Sequence, residues 1–174
     1  MWIDRVVELV PARRLVAIKH VSMAEEHLHD HFPERRWEGG RRPAFPVMPM
    51  SLIIEGMAQT AGILVGHAEG FREKVILAKV SKAELSRDAR PGDTLRYAAE
   101  VLQMDRAGAS TKGTVELIAP TPSGTPAQPV VIGSIDLMFS HIDNNMAGQE
   151  FPEWNFVFSE SFKTLLRTSG VAQD

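Results

Sequence analysis

Pro49-Met50-Ser51-Leu52-Ile53-Ile54-Glu55-Gly56-Met57-Ala58-Gln59-Thr60-Ala61-Gly62-Ile63-Leu64-Val65-Gly66 is the stretch on which the fold turns. Proline is tolerated at the start of a helix, where its missing N–H would have no partner, and no further proline interrupts the run to Gly66. A helix beginning near Pro49 is therefore predicted, ending between Gly66 and Gly70. Apolar and small residues occupy every side of its projection, which predicts a helix buried on all faces. Between Pro49 and Gly66 only Glu55 carries a charge. A lone carboxylate so placed loses hydration on folding, which favours its neutral form and suits it to acid–base work. The structural alternative is an ion pair with a buried Arg or Lys. Gln59 lies one turn later on the same face, able to donate and accept, and Gly62 and Gly66 continue that face, where another backbone is expected to come close.

Working outward, Val6–Val10 and Arg14–Val21 read as strands split by Pro11-Ala12, the second buried on both faces. Residues 22–33 read as a polar loop with room for one helical turn. From Glu34 to Pro46 the chain has no period and is rich in Gly, Pro and Arg, so it reads as an ordered excursion or a flexible flap. After the helix, Val75–Leu85, Thr94–Met104, Ser110–Ala119 and Val130–His141 read as strands, divided by Pro91-Gly92-Asp93, by Asp105-Arg106-Ala107-Gly108 and by the Pro120–Pro129 loop. Strands, one buried helix and then a meander predict an α+β fold in which an antiparallel sheet curls round a single helix. Beyond Asn144-Asn145 the chain changes character. Ser159 is a good N-cap for a helix running to about Thr168, with Phe158, Phe162, Leu165 and Leu166 on one core-packing stripe.

At 174 residues the chain fits one domain with an appendage. The predicted division is 1–143, including an inserted 34–45 loop, followed by a 144–174 extension with a short helix. A net charge of -3 gives no global basic bias, so nucleic-acid binding is not expected. No cysteine is present, which excludes disulfides and thiolate chemistry. The start, Met1-Trp2-Ile3-Asp4-Arg5, lacks the basic-then-apolar order of a secretion signal, and the apolar helix is short for a bilayer and interrupted by Glu55 and Gln59. A cytoplasmic protein with no membrane span is expected.

His27, His29 and His31 alternate across Leu28 and Asp30. Their spacing departs from the His-x-His-x-Asp-His run of metallo-hydrolases, and only His67 and His141 lie downstream as further imidazoles, so no metal is expected. His31 gains its meaning from the residues on its C-terminal side. His31-Phe32-Pro33, Pro46-Val47-Met48-Pro49 and Leu52–Gln59 resemble the β-hydroxyacyl-[acyl-carrier-protein] dehydratases, whose pattern is HFPGxPxxPGxxxxE followed by A-x-A-Q. The likeness extends from about Val6 to His141. It takes in Ala78–Ala83, the turn at Arg90-Pro91-Gly92-Asp93, Lys112–Val115 and Ser134–Phe139.

The resemblance implies the hot-dog fold, a long helix wrapped by an antiparallel sheet. It implies His31 and Glu55 as the catalytic pair, the Met50 N–H at the helix start as an oxyanion donor, and Pro49, Phe32 and Gln59 as further substrate-binding positions. It also implies dehydration without metal or organic cofactor, at a site shared between two subunits of a homodimer or larger homo-oligomer. The substrate would arrive on an acidic acyl carrier protein through phosphopantetheine, making Arg35, Arg36, Arg41, Arg42, Arg87 and Arg90 candidate contacts. The sibling dehydratase-isomerases carry Asp where Glu55 stands, so isomerisation is not expected. This chain departs from the pattern in spacing: Pro49 follows His31 by 49 − 31 = 18 positions, an insertion of ten. Glu34 and Met50 also replace the motif's glycines. A hot-dog thioesterase and a non-catalytic acyl-binding protein are the competing readings.

Overall fold

A computed structural model describes residues 1–121, 127–142, 148 and 151–171. Its elements are β1 (Arg5–Val10), β2 (Arg14–His20), α1 (Glu26–His29), β3 (Arg35–Trp37), β4 (Gly40–Arg42), α2 (Met50–Ala68), β5 (Val75–Leu85), β6 (Thr94–Met104), β7 (Gly108–Ile118), β8 (Val130–His141) and α3 (Glu160–Thr168). Six strands form one antiparallel sheet in the order β1-β2-β6-β7-β8-β5. Its concave face packs on α2 through Leu15, Ala17, Leu95, Tyr97, Val115, Leu137 and Phe139, which share one core with Ile53, Met57, Ala61, Leu64 and Val65. This is the α+β hot-dog arrangement. The Pro91-Gly92-Asp93 turn forms as its chemistry requires. Gly92 takes φ 97, the Asp93 carboxylate accepts from the Arg90 N–H at 2.8 Å, and Gly92 N–H reaches Val21 C=O at 2.9 Å.

Of the two readings of residues 34–46, the structure gives the ordered excursion: β3 and β4 pair as a hairpin, Arg35 opposite Arg42 and Trp37 opposite Gly40. Three-residue strands are too short to show a period. The turn itself was written in Glu38-Gly39-Gly40. Gly39 takes φ 87, and the Trp37 indole lies where a side chain on Gly40 would stand, 2.6 Å from that Cβ position. One expectation is corrected: α2 is not buried all round. Met50, Ser51 and Glu55 are exposed, with Gln59 and Gly62 half-buried, so one stripe of the helix is open.

The segment 151–171 crosses the C-terminal end of α2. Asn155 Nδ2 donates to Phe71 C=O at 2.9 Å and to Glu73 C=O at 3.0 Å. The Phe158 ring fills the place of a side chain at Gly66, and Leu165 and Leu166 are buried. What comes close at Gly62 and Gly66 is thus an aromatic side chain, Phe139 and Phe158, rather than another backbone. Ser159 stands at the N-cap position of α3, as read from sequence. The expected boundary at 143–144 lies outside the described residues. Val6 N–H donates to Ser169 Oγ at 3.0 Å, so the segment also covers the β1 edge of the sheet. The other edge strand, β5, pairs only with β8 among the described residues and is exposed on both faces from Leu77 to Lys82.

Beneath the N-terminal segment, the Lys19 ammonium is buried between Asp4, at 3.0 Å, and Glu25. Burial acts to lower its pKa, but the hydrogen bonds and charges of Glu25 and Asp4 outweigh it and hold the group above the ordinary lysine value of 10.5. Burial and the same two carboxylates also push the Tyr97 hydroxyl above its ordinary 10.0. Both groups hold their protons more tightly folded than unfolded. Their contribution is complete below the unfolded values and is lost as pH rises toward the folded ones. Urea midpoints should therefore fall above about pH 10, and Lys19→Met or Tyr97→Phe should each make that fall shallower.

Candidate active site

His31 follows α1, which is anchored by buried Leu28. Its Nδ1 lies 2.8 Å from Leu28 C=O. A carbonyl only accepts, so Nδ1 carries the hydrogen and Nε2 of the neutral ring keeps its lone pair, free to act as a base. The ring is half-buried, whereas the next residue, Phe32, is 64% exposed. Phe45 N–H donates to Phe32 C=O at 2.8 Å, which closes the base of the inserted hairpin beside His31. Arg42 lies over the Phe32 ring, 5.7 Å from its centroid, and Arg90 over the Phe45 ring at 5.3 Å.

Pro49 is the N-cap of α2, with φ -56 and ψ 139, and no side chain caps the helix. Leu52 N–H makes the first turn bond, to Pro49 C=O at 2.9 Å. The Met50 and Ser51 N–H groups precede it and point out at the positive end of a 19-residue helix. Met50 is exposed. It lines a cleft of about 270 Å³ with Met48, Ile53, Leu85, Ser86, Arg87 and Asp88.

Glu55 opens onto a different groove, of about 290 Å³, whose lining includes Gln59, Gly62, Phe139, Phe158 and Phe162. Gln59 is oriented by its two ends. Trp2 N–H donates to its Oε1 at 2.8 Å, leaving Nε2 to donate to Glu55 Oε1 at 3.0 Å. The expected desolvation of Glu55 is not produced within the chain, because the open stripe of α2 leaves its carboxylate exposed. His31 does not line this groove. The fold of one chain therefore brings Glu55 and Gln59 together, places Met50 in a neighbouring cleft with Pro49 as the helix cap before it, and sets His31 and Phe32 by the hairpin. Trp2 went unread in the sequence because a backbone N–H leaves no mark there. The aromatic stripe at Phe158 and Phe162 was legible as core packing, but not as groove lining.

The FabA-like domain family matches residues 1–119. Among curated relatives, the 3-hydroxyacyl-[acyl-carrier-protein] dehydratase FabZ of Ruminiclostridium cellulolyticum is 37% identical over 103 residues, 59% of this chain and 66% of that enzyme. The enzyme of the same name from Listeria welshimeri is 36% identical over 119 residues, 67% of this chain and 76% of that enzyme. Among solved structures, the dehydratase heterocomplex ApeI:P from Xenorhabdus doucetiae superposes with a TM-score of 0.58 at 16% identity, over 83% of this chain and 85% of that one. The conserved protein PA5202 from Pseudomonas aeruginosa gives 0.52 at 17%, over 78% and 86%. These two likenesses show the fold alone. The Glu-bearing central helix, the His-Phe-Pro loop and a family match over most of the chain agree: the chain belongs to the FabA-like family of β-hydroxyacyl-[acyl-carrier-protein] dehydratases with the hot-dog fold.

Proposed function

We infer that the protein is a hydro-lyase that removes water from β-hydroxyacyl thioesters carried on acyl carrier protein, giving trans-2-enoyl thioesters for fatty-acid or lipid synthesis. The observation that carries this reading is the polarity of His31. With Nδ1–H bound to Leu28 C=O, Nε2 is presented as the base for the weakly acidic α-proton. Glu55, held by Gln59, supplies the proton to the departing β-hydroxyl, which leaves as water. The α-C–H and β-C–O bonds break, the C=C bond forms, and the two residues exchange protons with solvent before the next turnover. The Met50 N–H at the start of α2 stabilises the enolate oxygen that develops on the thioester.

His31 and Glu55 meet across a homodimer in this reading. Two features support it: the exposed carboxylate on the open stripe of α2, and the bare β5 edge, which a second copy would cover. Burial by that copy would complete the desolvation that the single chain lacks. Among the described residues no helix is long and apolar enough to cross a membrane. Incubation with a β-hydroxyacyl thioester tests the reaction. Enoyl absorbance without free thiol is the expected outcome, whereas free thiol without enoyl product would establish the thioesterase alternative.

Arg42 and Arg90, each stacked on a ring beside the His31 loop, form the cationic rim on which an acidic carrier would dock. Arg42→Ala combined with Arg90→Ala should raise KM for carrier-linked substrate by about tenfold at low salt, while leaving KM for a pantetheine-linked substrate nearly unchanged. Steady-state assays on the two substrates at several salt concentrations check this.

A further inference from the structure

Resting on that reading, we propose that the segment from Asn155 to Phe162 is the stop of the acyl groove and sets the longest chain the enzyme accepts. The groove has one polar end, at Glu55 and Gln59. From there it runs over Gly62 and between α2 and the start of β5, with Ala58, Ile63, Val75, Ile76, Leu77 and Phe139 as its walls. Val157, Phe158 and Phe162 complete the lining, and Phe158, seated at Gly66, lies toward the C-terminal end of α2, away from Glu55. A polar head and an apolar, half-open groove suit a thioester with a straight aliphatic tail.

The stop is built rather than casual. Asn155 clamps the segment at both sides, donating to Phe71 C=O and Glu73 C=O while its Oδ1 accepts from Val157 N–H at 3.0 Å. Phe158 is seated against Gly66, where a side chain of any size would expel it, and stacks edge-on with Phe71 at 4.9 Å and Phe162 at 6.0 Å. Asn155, Val157, Phe158 and Phe162 lie beyond the 1–119 span that matches the family.

Its position gives the length. Glu55 and Gly62 are seven residues apart on α2, or roughly 10 Å at 1.5 Å per residue. An all-trans chain advances ~1.2 Å per bond, as an extended backbone does, so roughly eight carbons span the Glu55–Gly62 stretch of α2 that lines the groove. A medium-chain acyl group fills the groove.

The test separates the stop from the chemistry by measuring binding without turnover. Straight-chain S-alkyl pantetheine thioethers, from butyl to hexadecyl, are titrated into the whole protein by calorimetry. In parallel, enoyl formation is followed on β-hydroxyacyl thioesters of the same lengths. Affinity should rise with each added methylene up to about decyl and then stop rising or fall. Phe162→Ala and Phe158→Ala should move that limit to longer chains, improving binding of the longest analogues by about tenfold relative to the shortest. Gly62→Ala should move it the other way. The added Cβ meets only Phe139, at 3.6 Å, so this variant keeps its fold even where a phenylalanine variant does not. A limit that stays put in every folded variant, or the binding of no analogue, overturns the stop. Binding with a movable limit but no enoyl product upholds the stop and overturns the dehydratase reading. Enoyl product with no dependence on length does the reverse.

Discussion

Glu55→Gln should lower kcat/KM for dehydration by about 10²- to 10⁴-fold, the usual contribution of a positioned acid–base group. The substitution is nearly isosteric. The Gln59 Nε2 donor, at 3.0 Å from Glu55 Oε1, finds an amide oxygen in the same place. What is lost is the ability to give up a proton to the departing hydroxyl. His31→Ala should cost a similar factor by removing the Nε2 lone pair that the hydrogen bond to Leu28 C=O orients. The double variant should fall little further, because an elimination lacking either partner gains little from the other. Steady-state rates of enoyl formation measure all three. A Glu55→Gln enzyme with wild-type turnover would remove the carboxylate from the mechanism. Mixing the two single variants adds a test that catalysis within one chain does not pass. Dimers exchanging subunits regain up to about half of a wild-type site's activity per pair only when His31 and Glu55 act from different copies.

Gly56→Ala should be the most damaging small substitution in the central helix. A Cβ there would stand 2.6 Å from both Cζ and Oη of Tyr97 and 2.9 Å from Trp2 C=O. Tyr97 is wholly buried on β6 and Trp2 C=O is backbone, so neither gives way cheaply. Overpacking of this kind costs about 1–3 kcal/mol, against which alanine's better helix propensity returns up to ~1 kcal/mol. The expected net loss is about 1–2 kcal/mol, or a Tm lower by roughly 2–8 °C for a chain of this size. The strain also presses on the strand of backbone whose Trp2 N–H orients Gln59, so activity should fall with stability. Gly62→Ala is the counterpart on the same helix. With Phe139 at 3.6 Å as its nearest contact, it should raise stability by about 0.5–1 kcal/mol. Thermal and urea unfolding of the two variants side by side measure both, and the opposite signs distinguish packing from propensity.

The amino-acid sequence by itself determined the elements. The apolar run after Pro49 specified α2, β-rich runs between turn signals marked Val75–Leu85, Thr94–Met104 and Val130–His141 to the residue, and Ser159 marked the start of α3. These signals are local: period, caps and turn residues act within a few positions of where they are written. The motif also named His31 and Glu55 as the residues for chemistry. Only the tertiary structure decided how open α2 is, because a hydropathy pattern cannot say which apolar face a sheet will reach, and the sheet leaves the Glu55 stripe uncovered. The same limit hid the Trp2 hold on Gln59 and the seat of Phe158 on Gly66. Each of these pairs short or backbone groups across distances in the chain that no local period spans. Whether a carboxylate is dry, and where a groove ends, are properties of surfaces brought together by folding, and the residues forming them are neighbours only in space.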